Sequence, residues 1–399
     1  METQVDVGKK GDSAGWVSER IFHRADDFFE GLLAEIQRAE KSIDLEMYIY
    51  DDDDLGCRVA AALADAARRG VAVRVLIDAF GSPDWPGKAA AILASAGSSS
   101  PGIEWRIYHP KPWSFPGLKG LWSRPGFFMQ VIRNMNRRDH RKAFIIDGRV
   151  AWLGSMNVSV RSLRAVRGVS AWHECGVRIE GGEVFVLTHA FEYAWDRVTD
   201  PLARFSDRKL QARRVAAFRG AHLVRVNAPY KLRRRHRHEL LQRIKSARRR
   251  VWIETPYFIP TPRLVTALCL AARSGADVRL ILPRRSDIFF IPWIVPAFLA
   301  ELAGRGLQLF EYLPSNLHAK IMMIDDWVTV GSSNLNHRSL FHDLEIDAVM
   351  TSRAAHADLE ERLLADMRQS VEVTSETLKM RPFMLKVLGR MMMPLRYWM

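Results

Sequence analysis

The chain holds 399 residues, 48% hydrophobic, 26% charged and 10% aromatic, enough apolar material for a large core and a balance that excludes disordered, collagen-like and mucin-like architectures. Its formal charge of +14 is concentrated, since Arg204 to Arg250 carries 17 lysines and arginines against two acids, Asp207 and Glu239. Cys57, Cys175 and Cys269 lie far apart with no C-x-x-C, which speaks against a disulfide framework or thiolate zinc site and for a reducing compartment. The opening residues lack the apolar stretch of a signal peptide, and no run reaches the roughly eighteen apolar residues of a membrane-spanning helix.

In chain order, LLAEIQRAEKSIDLEMYIY (32–50) predicts an amphipathic helix and then a strand from Ile43. Asp51–Asp54 reads as a helix N-terminal charge cluster. ALADAARRG (62–70) predicts a helix closed by Gly70, followed by the strand VAVRVLID (71–78). HRKAFIIDGRVAWLGSMNVSVRSL (140–163) predicts two apolar strands joined at an Asp and followed by G-S-x-N. The series then restarts. LLQRIKSARRRVWIETPYF (240–258), ALCLAARSG (267–275) with Gly275, ADVRLILP (276–283) and HAKIMMIDDWVTVGSSNLNHRSL (318–340) repeat it in the same order. A duplicated α/β chain is expected: two sandwich halves, each a mixed sheet flanked by helices, in one bilobed body with a shared site. The expected organisation is a flexible segment 1–20, a first half 21–204, a basic connector 205–238, a second half 239–377 and a basic amphipathic tail 378–399.

His140-x-Lys142-x4-Asp147 and His318-x-Lys320-x4-Asp325 are one pattern occurring twice. On a strand, residues two apart share a face, so each copy sets an imidazole beside an ammonium. Packed about a pseudo-twofold axis, two of each converge on one cleft. Such a cleft suits attack on a phosphodiester: one neutral imidazole attacks phosphorus to form a phosphohistidine, the other protonates the leaving alkoxide, and the lysines stabilise the equatorial oxygens. Ser155, Asn157, Ser332 and Asn334 add candidate phosphate-binding donors, and neither a metal nor another cofactor is required.

The doubled motif resembles the phospholipase D superfamily over roughly residues 20 to 375. GSPD (81–84), YHPKPW (108–113), TPYFIP (255–260) and the second motif resemble bacterial cardiolipin synthases without N-terminal transmembrane helices. The resemblance implies catalytic roles for His140, Lys142, His318 and Lys320, with Asp147 and Asp325 as structural members of the signature. It also implies an acid past each histidine that orients the imidazole, here Glu174 and Glu345. The implied activity is transfer of a phosphatidyl group between two phosphatidylglycerol molecules, giving cardiolipin and glycerol. The alternatives are a phospholipase D hydrolase, a transphosphatidylase using another alcohol, and a metal-independent nuclease. The implied partners are anionic phospholipid and a membrane surface rather than nucleic acid, at the cytoplasmic face of a bacterial membrane.

Three segments bear on that surface. Lys111–Arg138 has six basic residues, no acid and five Trp or Phe, an interfacial composition. Ile288–Ala300 is apolar, too short to span a bilayer, and reads equally as a dipping loop or a buried helix. The tail from Leu378 has five basic residues, no acid and six methionines, and is expected to lie on the membrane.

Overall fold

A computed structural model describes residues 15–96, 102–108, 137–199, 208–288 and 291–380. Local sequence signals set its element boundaries. The helix Asp54–Arg68 starts at Asp53, whose carboxylate accepts from Gly56 N–H, and the helix Pro262–Arg273 starts at Thr261, whose hydroxyl accepts from Leu264 N–H. Each ends in a Schellman turn: Gly70 and Gly275 take φ of 95° and 91°, and Val71 and Ala276 donate back to Ala66 and Ala271.

The first sheet comprises β1 (Ser18–Phe22), β2 (Ser42–Met47), β3 (Ala72–Asp78), β4 (Ile103–Tyr108), β5 (Lys142–Ile146), β6 (Val150–Gly154) and β7 (Gly176–Glu180), in the order β1-β7-β6-β5-β2-β3-β4. The second comprises β8 (Val224–Val226), β9 (Arg250–Glu254), β10 (Asp277–Pro283), β11 (Gln308–Tyr312), β12 (Ile321–Ile324), β13 (Trp327–Gly331), β14 (Ile346–Met350) and β15 (Ser370–Glu372), in the order β15-β11-β10-β9-β12-β13-β14-β8. With β15 set aside the two orders superimpose, β1 on β8 through β7 on β14. Both are mixed: β2, β3 and β4 run parallel, as do β9, β10 and β11, and the remaining pairs are antiparallel.

Two expected boundaries move. The segment expected to be flexible to residue 20 already belongs to the fold, because β1 starts at Ser18 and Trp16 Nε1–H donates to Val349 O; residues 1–14 lie outside the described set. The basic stretch 205–238 is no mere connector. It holds the helix Arg208–Gly220, then β8, the edge of the second sheet, then most of the helix Tyr230–Ser246, which crosses the expected boundary at 239. Its charge misled because arginine stems bury readily while their heads find partners: Arg214 is 5% exposed and reaches Glu192 and Asp196, and Arg233 donates to the Phe341 and Asp343 carbonyls.

A central apolar cluster draws on both halves, joining β5–β7 and the helix Val184–Thr199 to β12–β14 and the helix Arg353–Arg368, with β13 lying against β6 and β7. Separate clusters fill the outer side of each sheet. Ile291, Val295, Phe298, Leu299 and Leu302 are buried in the outer cluster of the second half, so the helix Ile291–Leu302 is a core helix and not a dipping loop. Leu378, at the start of the expected tail, joins the same cluster, while residues 381–399, like 109–136 of the expected interfacial segment, lie outside the described residues. Among the described residues no helix is long and apolar enough to cross a membrane.

Candidate active site

The two motif histidines sit just ahead of β5 and β12, which are central in their sheets and buried throughout. Backbone pairing ties each approach to the other half. His140 N–H donates to Leu344 O at 3.0 Å and Leu344 N–H to Arg138 O at 2.8 Å; His318 N–H donates to His173 O and His173 N–H to Asn316 O, both at 2.8 Å. These short parallel bridges, Asp139 with Leu344 and His173 with Leu317, place the residue after each partner beside the other half's histidine.

The orienting carboxylates are therefore exchanged. His140 Nδ1 lies 3.1 Å from Glu345, and His318 Nδ1 lies 2.9 Å from Glu174. The sequence placed one acid after each histidine, and the fold pairs it with the histidine of the opposite copy. With Nδ1 engaged, each imidazole keeps Nε2 for chemistry. His140 packs on Tyr48 at a ring-centroid separation of 4.7 Å, and His318 lies between Trp172 at 4.9 Å and Tyr257 at 6.4 Å. Lys142 Nζ and Lys320 Nζ are each anchored on the carbonyl of their own motif histidine, at 2.6 and 2.5 Å.

Ser155 and Ser332 are not where direct phosphate contacts were expected. Fully buried, their hydroxyls donate to Glu174 and Glu345 and hold those carboxylates in place. Ser162 and Ser339 donate to the other oxygens, at 3.0 and 2.6 Å. Sequence reading passed over this second pair, although a signal was there: R-S-L follows each G-S-x-N at the same spacing. Asn157 Oδ1 accepts from Ile49 N–H, and among the described residues the buried Asn157 Nδ2 and Asn334 Oδ1 have no partner.

Asp147 and Asp325 lie away from the cleft. Each opens the turn after its strand with positive φ, 55° and 51°, a conformation Asp adopts more readily than most residues. Their carboxylates accept backbone N–H groups of the loops leading into β2 and β9: Lys41 and Ser42 at 2.7 and 3.0 Å, Arg249 and Arg250 at 2.9 and 3.1 Å. Both carboxylates are thus engaged with backbone N–H groups, the kind of contact a structural member of the signature would make.

Burial lowers His140 well below the ordinary imidazole range, with Lys142 and then Lys320 of the other half adding to it. Burial also lowers His318, though Glu174 opposes the shift. Lys142 is brought down to about 8 and Lys320 to about 7, in both cases chiefly by desolvation. Burial lifts Glu345 to about 7, whereas in Glu174 the pull of His318 and its hydrogen bond outweighs burial and the carboxyl falls. The partners differ in direction: Glu345 is raised and Glu174 lowered, while both histidines fall below the ordinary imidazole range, His140 the further.

His173, the residue before Glu174, is pinned from the second half by Tyr312 Oη at 2.9 Å, Asp366 at 2.9 Å and the Arg362 guanidinium. His173, Glu254 and Asp366 bring ligand atoms within 4.8 Å of one another, but Arg362 supplies the positive charge there, donating to Asp366 at 2.9 Å.

The family described as "Cardiolipin synthase, PLD-like domain" matches residues 32–195 and 240–367. A cardiolipin synthase of Clostridium perfringens is 27% identical over 92% of this chain and 74% of its own length. Cardiolipin synthase 1 of Bacillus cereus is 26% identical over 96% and 72%. Cardiolipin synthase A of Pectobacterium atrosepticum is 30% identical over 84% and 66%. The crystal structure of a phosphatidylserine synthase from Haemophilus influenzae superposes with a TM-score of 0.69 at 13% identity, covering 95% of this chain and 93% of that one, a likeness of fold.

Proposed function

The chain belongs to the phospholipase D-like cardiolipin synthase family, and from that premise we propose that it is a phosphatidyltransferase converting two phosphatidylglycerol molecules into cardiolipin and glycerol. The observation that carries this reading is the crossed pair of carboxylate-held histidines, each with Nε2 free, flanked by two buried lysines.

His140, whose imidazole burial lowers the further of the two, attacks phosphorus through Nε2. The N–P bond forms as the P–O bond to glycerol breaks, and the leaving alkoxide takes a proton from His318 Nε2, whose cation Glu174 stabilises. In the second half-reaction His318 accepts the proton of a headgroup hydroxyl on another phosphatidylglycerol. That oxygen attacks the phosphohistidine, and the N–P bond breaks to return neutral His140. Lys142 and Lys320 offset the charge developing on the equatorial oxygens. The substrate draws the protein to an anionic membrane surface, peripherally at the cytoplasmic face.

Purified protein incubated with labelled phosphatidylglycerol vesicles should release glycerol and cardiolipin in equal amounts. His140→Ala and His318→Ala should each lower turnover by at least 10³-fold, with the double variant barely worse than either, as members of one catalytic unit behave. Phosphatidic acid as the only product would make the protein a hydrolase, and cleavage of DNA alone would make it a nuclease.

A further inference from the structure

We infer that the pocket between the helices Tyr230–Ser246, Pro262–Arg273 and His337–Phe341 holds the phosphate of the acceptor lipid, a second anionic phospholipid beside the one being cleaved; the inference rests on the phosphatidyl-transfer reading. The cavity is about 340 Å³, the size of small-ligand sites. Leu241, Ile259, Pro260 and Phe341 line it together with two cations, Arg237 and Arg263, and no acid is among its lining residues. The Arg237 guanidinium lies 4.0 Å over the Phe341 ring, held towards the cavity. Among the described residues neither arginine forms an ion pair with a carboxylate. Burial lowers Arg237, Tyr230 opposes the shift, and the nearby Arg263 adds to it, as two like charges close together do.

The cavity wall is close along the chain to the catalytic residues. Ile259 is two residues, at most about 7 Å of chain, beyond Tyr257, which faces His318. Its N–H donates to Leu335 O, next to Asn334. A lipid with its phosphate at Arg237 and Arg263 can turn its glycerol headgroup towards His318, where the acceptor hydroxyl loses its proton.

Pseudo-symmetry sharpens the assignment. Asp51 N–H donates to Val158 O as Ile259 N–H does to Leu335 O, and Asp53 caps its helix as Thr261 does. The first-half counterpart of the pocket wall is therefore the acidic run Asp51–Asp54, which repels a phosphate. Transfer between two anionic lipids needs one phosphate between the lysines and one further cationic place, and at these corresponding positions the second half carries arginine where the first carries acids.

The test uses the full chain carrying Arg237→Gln and Arg263→Gln together. Exchange of labelled free glycerol into phosphatidylglycerol vesicles needs only the donor site, whereas cardiolipin formation needs both. The variant should keep exchange within about threefold of the unaltered protein and lose cardiolipin formation at least tenfold. Arg237→Lys with Arg263→Lys, which keeps the charge, should recover part of the loss. Equal loss in both reactions, or loss in neither, overturns the assignment while the transfer reading stands; an unaltered protein that forms no cardiolipin and exchanges no glycerol defeats that reading itself. A second measurement is independent of turnover. Titrating monomeric dihexanoyl-phosphatidylglycerol into His140→Ala protein by calorimetry should give two binding events, reduced to one by the paired Gln substitutions. The same number with and without them shows the cavity to be filled by another part of the chain or unused, and overturns the proposal.

Discussion

Glu345 lies in the second half of the chain and serves the histidine of the first. Imidazole 15N spectra of Glu345→Gln should therefore show the His140 ring perturbed and the His318 ring unchanged, with Glu174→Gln doing the reverse. The opposite pattern would refute the exchange of partners. Each substitution should cost roughly a hundredfold or more in kcat/KM, since the carboxylate both fixes the tautomer and stabilises the imidazolium. The lysines give a prediction of opposite sign for stability and activity. Lys320 titrates near 7 in the fold because it is buried, against about 10.4 in an unfolded chain. The unfolded state thus binds more protons between those values, so this residue's contribution to stability improves as pH rises from about 7 towards 10 and worsens on the way back. Lys320→Met should raise stability against unfolding at pH 7 by roughly 1–3 kcal/mol, allowing for the lost bond to the His318 carbonyl, and the gain should vanish near pH 10.5. The same substitution should abolish turnover. In the unaltered protein kcat/KM should decline above pH 7 to 8 as Lys320 and then Lys142 lose their protons.

At the scale of elements, the hairpins β5–β6 and β12–β13 separate what the motif aspartates do from what the motif histidines do. Asp147→Ala removes a charged acceptor from the Lys41 and Ser42 N–H groups and leaves a positive-φ position less tolerant of its residue. It should lower stability by about 1–3 kcal/mol while kcat/KM per folded molecule changes by no more than a few-fold. A loss comparable to His140→Ala with an unchanged melting temperature would place Asp147 in the chemistry. The bridges between Asp139 and Leu344 and between His173 and Leu317 matter as elements too. They fix the approach of each carboxylate, and in one of them His173 is gripped by Tyr312, Arg362 and Asp366, where its counterpart Leu344 has only packing. The two halves of the site are alike in ligands and unlike in support, and one end of the duplicated cleft is basic and apolar while the other is acidic.

Over the whole molecule, neither half completes a site alone. His140 without Glu345, or His318 without Glu174, is an imidazole whose tautomer nothing holds, and the central cluster is built from both sheets. Either half produced by itself should show no transfer. A chain interrupted between Thr199 and Arg208, with both pieces produced together, should regain it because the shared apolar surface drives reassociation. Turnover should also survive exhaustive chelation, since two lysines carry the charge at the phosphate and a guanidinium occupies the His173–Asp366 cluster.

The doubled motif, its strands, the glycine helix ends and the aspartate turns were legible from sequence because each rests on local periodicity or on a conformation that few residues accept, and a duplicated chain states such signals twice. Pairings between the copies were not. Glu174 and Glu345 are the same residue type at similar distances past the histidine of their own copy, so the linear order suggests direct pairing and carries no sign of the exchange, which backbone bridges between the halves decide. Ser155 and Ser332 looked like phosphate ligands because a hydroxyl near a catalytic histidine serves either purpose, and burial beside a carboxylate chose one. The basic stretch looked like a solvated link because charge counts do not register the carboxylates and carbonyls that distant parts of the chain bring to Arg214 and Arg233. By itself the sequence determined which groups are the candidates for the chemistry, since these follow from residue type and strand period. Tertiary structure decided which group serves which, because hydrogen bonds and desolvation act between atoms that are near in space and remote along the chain.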